Sequence, residues 1–234
     1  MEYNIRPEGA EGDNFVKTRL ATNDMDDLLF YNSGSLLQAL DPENNFADLS
    51  DLEFADRLLD SYKVTVTSGE QMFGVPVGST NVGAILYNKK VYADLGLSVP
   101  KTWDEFMANN EVIKGAGKTP VITTYKTTWT SQLFVLGSYY NVQAENPDFA
   151  EQYTANQAKY ATTPAALRSF ELTAEPHANG YVNDDFQAAL YDHGIQMLAE
   201  GTGVHYPMLS NALVAIEQNF PDLVNDIGVF PIPA

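Results

Sequence analysis

Val82-Gly83-Ala84-Ile85-Leu86-Tyr87, then Asn88-Lys89-Lys90-Val91-Tyr92-Ala93-Asp94-Leu95-Gly96-Leu97, then Val99-Pro100-Lys101-Thr102-Trp103-Asp104-Glu105-Phe106, is the most informative run of the chain. Its first part is a short apolar run bounded by breakers and reads as a buried strand. Its last part opens a helix. Thr102 can cap the free amides while Glu105, three residues on, reaches back to form a capping box. That helix carries Trp103, Phe106, Met107 and Ile113 and stops near Gly115 and Gly117. The same alternation continues on both sides. Residues 28–31, 73–77, 120–123, 204–206 and 227–230 read as further strands. Residues 14–23, 52–62, 131–140, 164–174, 186–190, 194–199 and 211–219 read as helical. Short strands alternating with helices give an α/β class. No repeat and no low-complexity linker interrupts the chain.

Composition narrows the function classes. Of 234 residues, 44% are apolar and 12% aromatic, which excludes a disordered chain. Lys and Arg number 13 against 31 Asp and Glu, a formal charge of −18. Residues 1–83 hold 5 basic and 15 acidic groups, so the acidity is not confined to one end. Such a surface repels nucleic-acid backbones and anionic membranes. With no cysteine, disulfides, thiolate nucleophiles and Cys-based metal sites are excluded. No apolar run reaches the roughly 18–20 residues that span a bilayer, so no direct membrane insertion is expected. The N-terminus lacks the build of a signal peptide; the chain is expected either to be cytosolic or to begin after a removed leader.

Catalytic motifs are mostly absent. Gly78-Ser79-Thr80-Asn81-Val82-Gly83 has the glycine spacing of a phosphate loop, but Ala84 stands where such a loop needs Lys. No GxSxG elbow, HExxH helix or kinase signature occurs. His177, His193 and His205 are scattered, and neither Asp26-Asp27 nor Asp184-Asp185 has the spacing of a calcium loop, so no metal or other cofactor is expected. A glycosidase needs only two carboxylates about 5–10 Å apart, and the sequence does not select a pair. The two Asp clusters fall at element boundaries, where capping is the default.

What remains is a set of uncharged polar loops after short strands: Tyr31-Asn32-Ser33-Gly34-Ser35, Gly78-Ser79-Thr80-Asn81, and Tyr125-Lys126-Thr127-Thr128-Trp129-Thr130. Asn, Gly and Ser favour turns in any case. Loops beyond strand ends are also where open α/β sheets bind ligands, and amides, hydroxyls and an indole face suit a sugar.

The segment from Tyr87 to Phe106 resembles the "YNK…LGL…P-x-TW-[DE]-E" region of the extracellular solute-binding proteins of ABC importers, and most of all the sugar-binding family that includes maltodextrin-binding protein. Asp27-Leu28-Leu29-Phe30-Tyr31, Phe73-Gly74-Val75-Pro76, Leu198-Ala199-Glu200-Gly201-Thr202 and Asp226-Ile227-Gly228-Val229-Phe230-Pro231-Ile232-Pro233 match further family segments in order. The resemblance implies a periplasmic-binding-protein type II-like fold of two α/β lobes with the ligand clamped between them. Residues 1–83 would form part of the N-terminal lobe and 84–234 the C-terminal lobe, with a crossing strand at about 81–87. Family members are longer, so the chain is expected to be a piece lacking segments at both ends. Its implied partners are a carbohydrate and the membrane permease subunits of an importer, at the extracellular membrane face through a lipid anchor or in the periplasm. The ligand contacts it implies are Tyr31, Asn32, Ser33, Ser35, Asn81, Lys126, Thr127 and Trp129, with Met208 and Ser210 at a strand end that lacks the family's Trp. Asp26 departs from the Pro usual in the family. No catalytic residue carries over, because the family performs no chemistry. A carbohydrate-active hydrolase and a binder of a non-sugar solute are the competing expectations.

Overall fold

The computed structural model describes residues 4–7, 9–78 and 80–233; Ser79 of the 78–81 loop and residues 1–3 of the N-terminal reading lie outside them. The chain divides into two compact units, Met1–Thr80 and Asn81–Ala234.

Unit 1 contains helices α1 (Gly9–Ala21), α2 (Ser35–Gln38), α3 (Pro42–Asn45) and α4 (Asp60–Val66), and an antiparallel pair, β1 (Thr67–Ser68) with β2 (Gln71–Met72). Its core is small: Leu37, Ala55, Val66, Met72 and Phe73, flanked by Phe54, Leu58 and Tyr62. The helix expected over residues 52–62 is replaced by turns, a 3-10 turn at Ala55–Arg57 and the later helix α4. One continuous helix would place Asp56 one turn from both Glu53 and Asp60, an unfavourable stack of like charges. The chain breaks instead at Leu58 and Leu59, both extended. The strands expected at 28–31 and 73–77 do not form. A strand exists only through its partner, and among the described residues 25–33 take part in no backbone–backbone hydrogen bond. Leu28 and Phe30 are 69% and 66% exposed. Amides of 28–31 are therefore expected to exchange hydrogen far faster than those of the unit 2 sheet; comparable protection in a mass-spectrometric exchange experiment would contradict this.

Unit 2 contains β3 (Gly83–Asn88), α5 (Lys89–Leu95), α6 (Trp103–Gly115), β4 (Thr119–Val121), α7 (Leu133–Gly137), α8 (Tyr139–Glu145), α9 (Phe149–Thr154), α10 (Pro164–Ala178), α11 (Tyr191–Glu200), β5 (Gly203–Leu209), α12 (Ala212–Asn219) and β6 (Ile227–Phe230). The capping box at the start of α6 is present: the Glu105 amide donates to Thr102 Oγ1, and Glu105 Oε2 accepts from the Thr102 amide. Residues 186–190 form turns rather than a helix, with the Ala188 and Ala189 amides both donating to the Asp185 carbonyl. The helix expected over 131–140 is broken at Ser138, whose hydroxyl bonds back to the Phe134 carbonyl and competes with the backbone ladder.

The sheet order is β4-β5-β3-β6. β5 runs parallel to β4 and antiparallel to β3, and β3 is antiparallel to β6. One core joins Leu86, Ile122, Tyr206 and Met208 to Ile195 and Leu198 of α11 and Ile216 of α12. A second joins Ile85, Val121 and Phe230 to Trp103 and Phe106 of α6 and Leu172 of α10. β4 leaves the sheet after Val121, level with His205. Pro207, two residues further along β5, points its missing N–H toward that vacated side, so it costs no ladder bond.

Candidate functional site

The topology brings three segments to one end of the unit 2 sheet. β4 and β5 are parallel, so the loop after β4 and the exit of β5 at Leu209–Ser210 lie together. β3, running the other way, begins there, after Asn81 and Val82. This is the carboxyl end of the parallel strands, where open α/β sheets hold ligands. Asn81 and Ser210 form one corner: the Val82 amide donates to Ser210 Oγ at 3.2 Å, the Ser210 amide to the Val82 carbonyl at 2.9 Å, and Ser210 Oγ to Asn81 Oδ1 at 3.3 Å.

The loop after β4 is tied down along its length. Asn183 pairs with Thr123 as a strand residue would, accepting from the Thr123 amide at 2.8 Å and donating to its carbonyl at 3.0 Å. The Tyr125 amide donates to the Phe186 carbonyl and the Lys126 amide to the Ala189 carbonyl. Thr127 Oγ1 accepts from the Tyr191 amide at 3.0 Å. Below the loop a hydroxyl relay closes on itself. The Tyr206 hydroxyl lies 2.7 Å from Thr124 Oγ1, which donates to Thr130 Oγ1 at 3.0 Å, and Thr130 donates to the Thr124 carbonyl at 2.9 Å. Thr123, Thr124, Ser131, Tyr206 and Pro207 are among the residues lining a cavity of about 10 Å³, about the size needed for one water molecule.

Trp129 rides on this support, in a 3-10 turn at Thr128–Gln132. It is half-buried and packs on the Tyr191 ring, 5.6 Å between centroids. Burial, with a smaller push from Asp192, raises the Tyr191 phenol to about 12, and burial raises that of Tyr206 further. Both stay neutral donors at ordinary pH. Lys126 is exposed and, among the described residues, forms no ion pair.

Met208 requires correction: alternation along β5 turns its side chain into the core beside Leu198 and Ile216, where it is fully buried. The strand reaches solvent only at Leu209 and Ser210. Tyr191 lies outside the sequence pattern, which starts this helix at Gly194, whereas α11 begins three residues earlier. Asn183 and Thr124 carry no local signal; only the tertiary pairing reveals them.

In unit 1, the Tyr31 hydroxyl donates to Asp13 at 2.8 Å and the Arg6 guanidinium lies 5.3 Å from the ring centroid. Burial, followed by the Asp13 carboxylate, raises this phenol to about 12. Asn32, Ser33 and Ser35 are exposed; Ser35 opens α2, behind a Gly34 at φ 69° that only glycine adopts cheaply. A groove of about 540 Å³ in the same unit runs between Phe15 and Arg19 of α1 and Leu28, Leu29 and Phe30. Of the two aspartate clusters, Asp26 accepts from Arg19 and Asn4, and Asp185 accepts from Asn183. Neither Asp26 nor Asp185 caps a helix by its side chain. Among the described residues no group of three or more His, Asp or Glu side chains could hold a metal ion, and no helix is long and apolar enough to cross a membrane.

The chain is similar to known proteins in sequence and in fold. The chain is 24% identical over 226 residues to the multiple sugar-binding protein of Streptococcus mutans, a match covering 93% of this chain and 52% of that protein. The chain thus spans about half the length of that relative. The solved structure of the solute-binding protein RafE in complex with raffinose superposes with a TM-score of 0.73 at 26% identity, over 97% of this chain and 59% of RafE. The mannobiose complex of BlMnBP1, a binding protein of an ABC transporter from Bifidobacterium animalis subsp. lactis, gives a TM-score of 0.75 at 21% identity. Its match covers 97% of this chain and 54% of that structure, and at that identity it speaks for the fold alone. The α/β class expected from the sequence is the class observed, and the family model described as "Bacterial extracellular solute-binding protein" matches residues 3–234. With nearly every residue inside that match, the chain belongs to the bacterial extracellular solute-binding proteins.

Proposed function

We propose that the chain binds a mono- or oligosaccharide, without altering it, for delivery to the permease subunits of an ABC importer. The observation that carries this reading is Trp129: a half-buried indole on a braced loop, at the strand-end edge that also holds Asn81 and Ser210. An aromatic face suits the apolar side of a pyranose, and uncharged hydroxyls and amides suit its hydroxyls. The sugars named for the relatives point the same way. In this reading residues 1–83 and 84–234 belong to two lobes, the chain crossing at about 81–87. The sugar lies between them, with Tyr31, Asn32, Ser33 and Ser35 on one side and Asn81, Lys126, Thr127, Trp129 and Ser210 on the other. Closure then follows from the sugar's preference for the closed form. A micromolar dissociation constant needs about −8 kcal/mol. Uncharged hydrogen bonds of about 0.5–1.5 kcal/mol each, with a stacked ring of similar size, reach that without a buried ion pair. The protein would work outside the cell membrane, lipid-anchored or periplasmic, and no nucleic acid takes part.

Calorimetry against raffinose, mannobiose and other neutral oligosaccharides tests the reading. One sugar is expected to bind, and Trp129→Ala to weaken it about tenfold or more through lost stacking area. No heat with any sugar, together with clear binding of an amino acid or a metal ion, would reject it. Release of reducing ends from the same panel would instead favour a hydrolase.

A further inference from the structure

The aromatic support beneath Trp129 forms a graded row. Trp129 leans on Tyr191 with ring planes 42° apart, and Tyr191 lies over Tyr206 with centroids 6.4 Å apart and planes at 37°. Burial deepens along the row: Trp129 and Tyr191 are half-buried and Tyr206 is 1% exposed. The deep end is locked by the hydroxyl relay through Thr124 and Thr130. It is also locked by α11, which can lie on the Tyr206 ring because Gly194 has no side chain; a Cβ there would come within 2.7 Å of Tyr206. The middle of the row is pinned by the Tyr191 amide on Thr127 Oγ1, so the loop that carries the indole and the residue beneath it move as one piece. The outer ring is held by packing alone, on Tyr191 and the edge of the core.

We propose that Tyr191 is a positioning residue for sugar binding: its ring fixes the orientation in which Trp129 offers a face to a pyranose. This rests on the reading that the chain holds a sugar through Trp129. Holding the indole in advance removes an ordering cost that binding would otherwise carry. The contact is between the two rings, so the phenol hydroxyl is not needed for it.

Fluorine NMR of the chain labelled with 5-fluorotryptophan tests the proposal. The sequence has two tryptophans, and Trp129→Phe assigns their resonances. In Tyr191→Leu the Trp129 resonance is expected to shift or broaden while that of Trp103, in the other core, stays in place. Tyr191→Phe is expected to leave both unchanged. For the sugar that binds the unaltered chain most tightly, raffinose or mannobiose, Tyr191→Leu should raise the dissociation constant about threefold to tenfold, and Tyr191→Phe by less than about twofold. Tyr191→Met, which refills the space with a flexible side chain, is measured in parallel and judged the same way if Tyr191→Leu loses the Trp103 resonance. A Trp129 resonance indifferent to loss of the ring, an unchanged affinity, or equal damage from Tyr191→Phe would overturn the proposal. A shifted Trp129 resonance in a chain that binds no sugar would instead sink the sugar reading and leave the ring-on-ring positioning supported.

Discussion

Replacing Phe106 with alanine is expected to lower the stability of unit 2 by about 3–5 kcal/mol, the usual cost of deleting a fully buried aromatic ring. Phe106 has no exposed surface. Its ring meets those of Trp103 at 5.0 Å, His205 at 4.9 Å and Phe230 at 6.4 Å. It therefore joins helix α6 to the central strand β5 and the outer strand β6. Removing it strips apolar burial and leaves a void that three elements would have to close together. Part of that wall is the imidazole of His205, held by Tyr92 and Asn110, which cannot slide inward without breaking those bonds. Phe106→Leu keeps most of the volume and is expected to cost about 1–1.5 kcal/mol. Urea unfolding followed by tryptophan emission reports unit 2 alone, because Trp103 and Trp129 both lie in it. A loss below about 1 kcal/mol in the alanine variant would mean that the interior collapses around the gap.

Phe106 also marks how far the sequence could be read. Its helix was legible to the residue because every local signal agreed: Pro100, the Thr102–Glu105 box, and apolar residues at helical spacing on one face. The sheet strands of unit 2 were legible for a similar reason, since short apolar runs between breakers find partners within the same unit. Unit 1 was misread where local pattern and tertiary context part. Residues 28–31 have strand composition but no ladder, and the like charges of 52–62 disfavour the helix that their leucines imply. In the candidate site, Trp129 stood out because an indole among threonines is a poor core segment. Its brace was invisible: Tyr191 and Tyr206 lie 62 and 77 positions away and meet it only through the parallel pairing of β4 with β5 and the return of α11. Met208 failed for the opposite reason. The strand end looks like a surface edge, whereas both faces of β5 are covered as far as Met208, whose side chain packs among α11 and α12 residues.

Acidification is expected to destabilise unit 2, with one separable contribution from a proton on His205. The imidazole is fully buried: the Tyr92 hydroxyl lies 2.5 Å from Nε2, and Nδ1 is 2.9 Å from Asn110 Oδ1. An amide oxygen can only accept, so Nδ1 carries the proton and Nε2 takes that of Tyr92. This neutral tautomer satisfies both nitrogens, and a second proton on Nε2 would face a phenol oxygen in a low-dielectric interior. Burial accordingly pushes the His205 pKa down to about 3, tempered by the Pro120 carbonyl. In the unfolded chain the same group titrates near 6.5. Above that value neither state is charged and the contribution is fully present. As the pH falls from about 6.5 toward 3, the unfolded chain binds a proton that the native state refuses, and stability drops by about 1.4 kcal/mol per pH unit. Between pH 7 and pH 5 the unaltered chain should therefore lose about 2 kcal/mol more than His205→Gln, measured by urea unfolding with tryptophan emission. The carboxylates and His177, whose pKa burial also lowers, are common to both chains and cancel in the difference, so equal losses would mean that His205 takes up its proton in the folded state.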